Sequence, residues 1–109
     1  MRCYINIGCR ENFRRKDGRG RELAIPESIL SLAEHPDDDT DSLIPVDIER
    51  EFIPAAGDVL VYTDHGRGFS LAGTVLERRT TVVRNGEAAP EHRLILTVRI
   101  ADTHMEPII

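Results

Sequence analysis

Residues 52–101 read FIPAAGDVLVYT (52–63), DHGRG (64–68), FSLAGTVLERRTTVV (69–83), RNGEAAPE (84–91) and HRLILTVRIA (92–101). Three runs rich in β-branched and aliphatic residues are separated by clusters of Gly, Asp, Asn and Pro. Runs of that kind bounded by turn residues read as strands, and the stretch as a whole reads as a β-meander. In the last run Leu94, Leu96, Val98 and Ile100 fall on one side, with His92 at its start. Ile95, Thr97 and Arg99 fall on the other, which is the period of two expected of a strand. In the middle run Phe69, Leu71, Gly73 and Val75 share one parity. A glycine inside a strand predicts a bend or bulge, as small barrels need at their corners.

Upstream, Val46, Ile48, Arg50 and Phe52 alternate with Asp47, Glu49 and Glu51. This predicts a further strand over 46–52 with one strongly acidic face, at an edge or on the solvent side. HPDDDTDS (35–42) reads as a loop, because four aspartates in five residues repel one another and favour water. Pro26 with Glu27 behind it suits a helix start. Ile29, Leu30, Leu32 and Ala33 supply an apolar side, and His35-Pro36 stops the helix, giving a short helix near 26–34.

At the N-terminus Cys3, Ile5 and Ile7 alternate with Arg2, Tyr4 and Asn6, which predicts a half-buried strand. Asp17-Gly18 lies between two extended arms and is a hairpin signal. Phe13, Leu23 and Ile25 supply that hairpin's buried face, and Arg14, Arg15, Lys16, Arg19 and Arg21 crowd its tip. Ile108 and Ile109 end a tail at 102–109.

The fold class that follows is mainly β: a small, strongly bent antiparallel sheet, or a barrel, of five to seven strands with one short helix. With 109 residues the chain makes one domain. Residues 1–25 form the N-terminal strand and basic hairpin, 26–45 the helix and acidic loop, 46–101 the meander core. With no tryptophan and few aromatics, the core must be mainly Val, Leu and Ile.

No apolar run approaches the roughly 20 residues that cross a bilayer. The opening MRCYINIGCREN is too short and polar for a signal peptide. A cytoplasmic protein with no membrane partner is the expectation. Six residues of extended chain separate Cys3 from Cys9 by roughly 20 Å, beyond disulfide reach, so both read as reduced, core-facing thiols.

The net charge of −5 is unevenly spread. Residues 1–25 hold seven bases against three acids, residues 26–58 one base against ten acids, and residues 59–109 balance at six each. The acidic total argues against non-specific nucleic-acid binding, while the basic N-terminal segment leaves room for a local site.

Known chemical signatures fit poorly. Counted from Asp37, a calcium loop would need glycine at its sixth place and a bidentate glutamate at its twelfth; Ser42 and Ile48 stand there. His35, His65, His92 and His104 show no metal-ligand spacing. Asp64, His65 and Ser70 lack a nucleophile elbow. Gly18-Arg19-Gly20 and Gly66-Arg67-Gly68 lack the spacing and following helix of a phosphate loop and read as hairpin tips. No catalytic, metal or cofactor-binding residue is expected.

Phe52-Ile53-Pro54-Ala55-Ala56-Gly57-Asp58-Val59, with Gly73-Thr74-Val75 and Glu77-Arg78 after it, resembles the F-x-P-x-x-G-D-x-V lead-in of a set of small uncharacterised bacterial and phage proteins with an SH3-like barrel. It also resembles the KOW motif of ribosomal and transcription proteins. The resemblance covers about half the chain and implies a barrel-like fold. Arg67, Arg78, Arg79 and Arg84 match in part the basic residues that such modules use for RNA. It implies no catalytic residue.

Two charged sets remain as candidate contacts. Arg14, Arg15, Lys16, Arg19 and Arg21 suit phosphates or an acidic protein surface, and suit equally a solvated hairpin paired with the chain's own acidic loop. Asp37, Asp38, Asp39, Asp41, Asp47, Glu49 and Glu51 suit a basic partner, or simply a solubilising face. The expected function is a non-enzymatic protein-interaction module (an adaptor, inhibitor or subunit) that works through charged surfaces. Head-to-tail self-association would follow from the same charges. The alternative is a nucleic-acid-binding barrel that uses the hairpin at 14–21.

Overall fold

The computed structural model describes residues 2–9, 12, 27–34 and 42–105. Within them the chain forms β1 (Arg2–Asn6), α1 (Glu27–Leu30), β2 (Leu43–Val46), a single 3-10 turn (Arg50–Phe52), β3 (Val59–Asp64), β4 (Phe69–Val83) and β5 (Glu91–Met105). The five strands make one sheet in the order β2-β1-β5-β4-β3. It is curled into a half-barrel, so the expected strongly bent, mainly β fold is what the chain adopts. Neighbouring strands are antiparallel except β1 and β5, which run parallel with Cys3 beside Leu94 and Ile5 beside Leu96.

The meander over β3, β4 and β5 follows the sequence closely. Asp58 accepts a hydrogen bond from the Ala55 N–H at 2.9 Å, and Gly57 takes a φ of 93°, a value that favours glycine. The turn then docks on β4: Gly57 N–H donates to the Val75 carbonyl at 2.7 Å and Val75 N–H to the Asp58 carbonyl at 2.9 Å.

Two bulges bend the long β4–β5 hairpin. Ala72 pairs with Asp102 but Gly73 with Ile100, which leaves Ala101 over. Val75 pairs with Val98 but Glu77 with Thr97, which leaves Leu76 over. Each extra residue adds twist and shifts side-chain parity. Gly73 sits in this bend for a steric reason. A Cβ there would overlap the Arg99 carbonyl oxygen and stand 2.7 Å from Val98 Cγ1.

The concave face holds the core: Cys3, Ile5, Ile44, Phe69, Leu71, Val75, Leu94, Leu96, Val98 and Ile100, closed over by Ile7 and Ile29. Leu30, Leu32, Ala33, Ile48 and Ile53 pack against it. The predicted alternation of β5 is observed on the inner face.

Several expectations are corrected. The N-terminal strand is buried on both faces, with Cys3 and Ile5 in the concave core. Tyr4 joins Leu43 and Ile95 in a second cluster on the convex side. The strand predicted over 46–52 is instead β2, which ends at Val46, followed by the 3-10 turn closed by Phe52 N–H to the Glu49 carbonyl at 2.9 Å. Val46 and Ile48 do face the core, but Phe52 is 72% exposed. Finally, Cys9 lies beyond β1 and is half-buried, its thiol 3.5 Å from the Val98 carbonyl, and neither Cys3 nor Cys9 is in a disulfide. The helix expected near 26–34 is one turn, Glu27–Leu30. Of the tail expected at 102–109, residues 102–105 instead continue β5; residues 106–109, Phe13, Leu23, Ile25 and the Asp17-Gly18 hairpin lie outside the described residues.

One buried polar side chain has no counterpart in the sequence reading. Beyond Asn6 and Thr97, β1 no longer covers the edge of β5. Asn12 takes its place: Nδ2 donates to the Ile7 and Val98 carbonyls at 2.9 Å each, and Oδ1 accepts from the Ile100 N–H at 2.7 Å. Asn12 is fully buried, so its amide stands in for a missing strand.

Two substitutions check this account in denaturant titrations. Asn12→Ala takes the side-chain partner from the Ile7 carbonyl and the Ile100 N–H and leaves the Val98 carbonyl only the Cys9 thiol at 3.5 Å; it is expected to cost at least about 2–3 kcal/mol in total, since each unsatisfied buried group costs about 1–3 kcal/mol. Gly73→Ala is expected to cost about 1–3 kcal/mol through overpacking against backbone that cannot yield; an unchanged midpoint would refute the bulge geometry.

Candidate functional site

The curl brings the two edges of the sheet together through side chains. Arg67, in the turn between β3 and β4, reaches across to β2, where its Nη2 donates to the Pro45 carbonyl at 2.5 Å. Its Nε donates to Asp64 Oδ2 at 2.8 Å, and its guanidinium lies 5.1 Å from the centre of the Phe69 ring. Asp64 Oδ1 accepts the Arg67 N–H at 2.9 Å, which fixes the turn itself. Nearby, the Tyr62 hydroxyl accepts the Asp47 N–H at 3.2 Å. The bonds from Arg67 hold the Asp64 carboxyl below its ordinary value. Arg67, matched by resemblance to RNA-contacting bases, is thus engaged by its own chain.

The outer row of β3 is different. Among the described residues β3 ends the sheet and pairs only with β4. Leu60, Tyr62 and Asp64 turn inward, whereas Val59 is 73% and Val61 67% exposed, with Thr63 exposed beside them. No charged or proline residue interrupts this edge between Val59 and Thr63, although native edge strands are commonly blunted in that way.

A cleft of about 720 Å³ opens at the other end of the concave face. The Leu76 bulge creates it. Past that extra residue Arg78 lies opposite Leu96 and Thr80 opposite Leu94, so both share the inner face. Arg2 from β1, Arg50 from the 3-10 turn, Arg78 from β4 and His92 from β5 line the cleft, together with Ile53, Thr80, Pro90 and Leu94. Among the described residues its one acid is Glu91. Glu91 stands 3.4 Å from Arg2 and 3.3 Å from Arg93. The hydrogen bond from Arg93 holds the Glu91 carboxyl below its ordinary value, with Arg2 adding to the effect. Cys3 lies next to this region, against Arg50, Ile48 and Ile53. Burial pushes its thiol up, more than the charge of Arg78 draws it down, so it is no activated nucleophile.

The predicted site residues are dispersed or out of view. Arg14, Arg15, Lys16, Arg19, Arg21, Asp37, Asp38, Asp39 and Asp41 lie outside the described residues. Asp47, Glu49 and Glu51 are exposed on the segment that leaves β2, not on the acidic face of a strand. Among the described residues no three His, Cys, Asp or Glu side chains come together as a metal site, and no helix is long and apolar enough to cross a membrane. Sequence reasoning missed the convergence of Arg2, Arg50, Arg78 and His92. Its one signal is the break in alternation at Leu76-Glu77-Arg78, where an apolar row gives way to charge. No family model matches the chain, and neither a curated protein nor a solved structure shows significant similarity to it.

The clasp makes stability depend on acid. A carboxyl whose folded value lies below its unfolded one stabilises fully above the ordinary carboxylate range, and that contribution disappears as pH falls through the folded value. Asp64 and Glu91 both follow this sign. Melting temperature is expected to fall below about pH 4. In Asp64→Asn the acid limb flattens, and at pH 7 Asp64→Asn and Arg67→Met both melt earlier than the parent.

Proposed function

We propose that this chain is a non-enzymatic protein-interaction module that receives an extended segment of a partner along the free edge of β3. The observation that supports this is the exposed apolar row of Val59 and Val61 on a strand with an unpaired side. An unsatisfied strand edge offers backbone N–H and C=O groups in register, and alternate side chains beside it supply selectivity. The remainder of the strand is rigidly held. Leu60 and Tyr62 pack on the core, Tyr62 stacks near Phe69 with ring centres 6.0 Å apart, and Asp64 is fixed by Arg67. An edge that is already straight and anchored binds without the entropic cost of ordering it.

The charged residues around the edge suit selection more than affinity. Asp58 precedes β3, and Asp47 is tied to Tyr62, so a partner strand with flanking basic residues fits this neighbourhood. Charges placed there set register and association rate. This retains the protein-interaction class and moves its main contact from charge alone to backbone pairing.

The test is capture with two baits from lysate of the native host, the parent chain and Val59→Lys/Val61→Lys. Burying each valine at an interface contributes about 1.5–3 kcal/mol, so the double variant is expected to lose at least about tenfold in affinity while keeping its circular dichroism. The partner retained by the parent should also slow amide exchange over residues 59–64. Equal recovery by both baits, or unchanged exchange on β3, would overturn the proposal.

A further inference from the structure

We propose that the cleft between the 3-10 turn, the distal half of β4 and the start of β5 binds an organic phosphate monoester. Arg2, Arg50 and Arg78 take the phosphate, and Ile53 and Leu94 seat the organic part. The proposal uses no residue of β3 and stands apart from the edge-strand reading.

The first support is charge. Among the described residues three guanidinium groups and one carboxylate line the cleft, and that carboxylate is shared between Arg2 and Arg93. No described residue forms an ion pair with Arg50 or Arg78. Arg67, by contrast, has Asp64. Arg50 and Arg78 thus bring to the cleft two positive charges that no carboxylate among the described residues answers. An anion that enters the cleft answers them.

The second support is valence and shape. A carboxylate brings one negative charge, which one bidentate arginine satisfies. A phosphate monoester brings about −1.5 to −2 near neutral pH and three acceptor oxygens, enough for two or three guanidinium groups at once. Thr80 adds a hydroxyl and His92 a ring N–H on the same wall. Arginine is the residue suited to this planar, multiply bonded recognition.

The third support is the floor. At about 720 Å³ the cleft is far larger than inorganic phosphate needs and falls within the range of small-molecule sites. Ile53, Pro90 and Leu94 give it apolar surface, which would be idle under a bare ion. Among the described residues no Phe, Tyr or Trp lines it, so these supply none of the stacking platforms that single-stranded nucleic acid uses.

Isothermal titration of the full chain decides the matter. The probes are phenyl phosphate, adenosine monophosphate, inorganic phosphate, adenosine, a hexaglutamate peptide and a mixed-sequence single-stranded DNA 12-mer. Phenyl phosphate or adenosine monophosphate is expected to bind below about 1 mM, inorganic phosphate at least about tenfold more weakly, and adenosine not at all. Arg50→Ala/Arg78→Ala should weaken the phosphate esters at least about tenfold, since each lost charged hydrogen bond is worth that much. Arg99→Ala, on an exposed residue that does not line the cleft, should leave affinity unchanged. Circular dichroism of each variant reports whether it is folded, and Arg50→Lys/Arg78→Lys, which keeps the charge but removes the bidentate fork, should recover only part of the affinity. Failure of both esters to bind, or binding that ignores Arg50 and Arg78, overturns the proposal. Tighter binding of the DNA or of the peptide through the same two arginines also overturns it, by assigning the cleft to nucleic acid or to an acidic protein segment.

Discussion

One extra residue in one strand divides this molecule into a core and a cleft. Up to Val75, β4 points every second side chain into the concave face and each is apolar or glycine. Leu76 interrupts the count, and from there the inward positions belong to Arg78, Thr80 and Val82. Without the bulge Glu77 and Arg79 would face Leu96 and Leu94 instead, and a carboxylate would meet the core. The bulge also bends the strand, so the inward arginine rises to the rim and meets Arg2 and Arg50 at the cleft. Core packing and the placement of charge therefore have a single geometric origin, and the turn at residues 54–58 pins β4 at Val75, just before the extra residue.

The sheet closes by side chains where a full barrel would close by backbone pairing. β2 is short, contains Pro45 and ends at Val46, so it presents few N–H groups to the opposite edge. Arg67 and Tyr62 bridge the gap. This arrangement has a structural consequence at β3. In a closed barrel both sides of β3 would be paired; here, among the described residues, only β4 pairs with it. The ties to the β2 side run through the Arg67 and Tyr62 side chains, not through the backbone of β3.

The fold was legible wherever side-chain alternation met unambiguous turn chemistry. Leu94, Leu96, Val98 and Ile100 declared the inner face of β5, and Gly73 announced a bend. The rest depended on contacts distant in sequence. Nothing local to Cys3-Tyr4-Ile5-Asn6 says that β1 will be sandwiched between strands from residues 43 and 93 onward, so its second face read as exposed. Asn12 looks like an ordinary polar residue until β5 arrives 86 residues later to need its amide. The acidic alternation at 46–52 imitates a strand, but Pro45 and the crossing to Tyr62 end pairing early. The cleft was legible only in hindsight: Arg78 is inward solely because of a bulge whose signal, one apolar residue out of phase, is faint in a single chain. The candidate residues of the hairpin at 14–21 and of Asp37–Asp41 lie outside the described residues.

What separates an arginine that builds the fold from one that serves a ligand is whether its charge is already answered. Arg67 and Arg93 each have a carboxylate of their own chain within 3.3 Å, and the first also stacks on Phe69 and reaches a carbonyl. All donors directed at partners of that kind are structural. Arg50 and Arg78 stand on a rim, formed by a 3-10 turn and a bulged strand, with no such partner among the described residues. A long cationic side chain on a convex surface needs no partner, because water solvates it from all sides. In a concavity several such side chains border one volume, so a single anion can meet more than one of them. Arg50 is placed by the 3-10 turn that leads to Ile53 at the core, and Arg78 by the bulge that follows the Val75–Val98 pair. Their presence around one cleft is therefore a property of the fold's curvature.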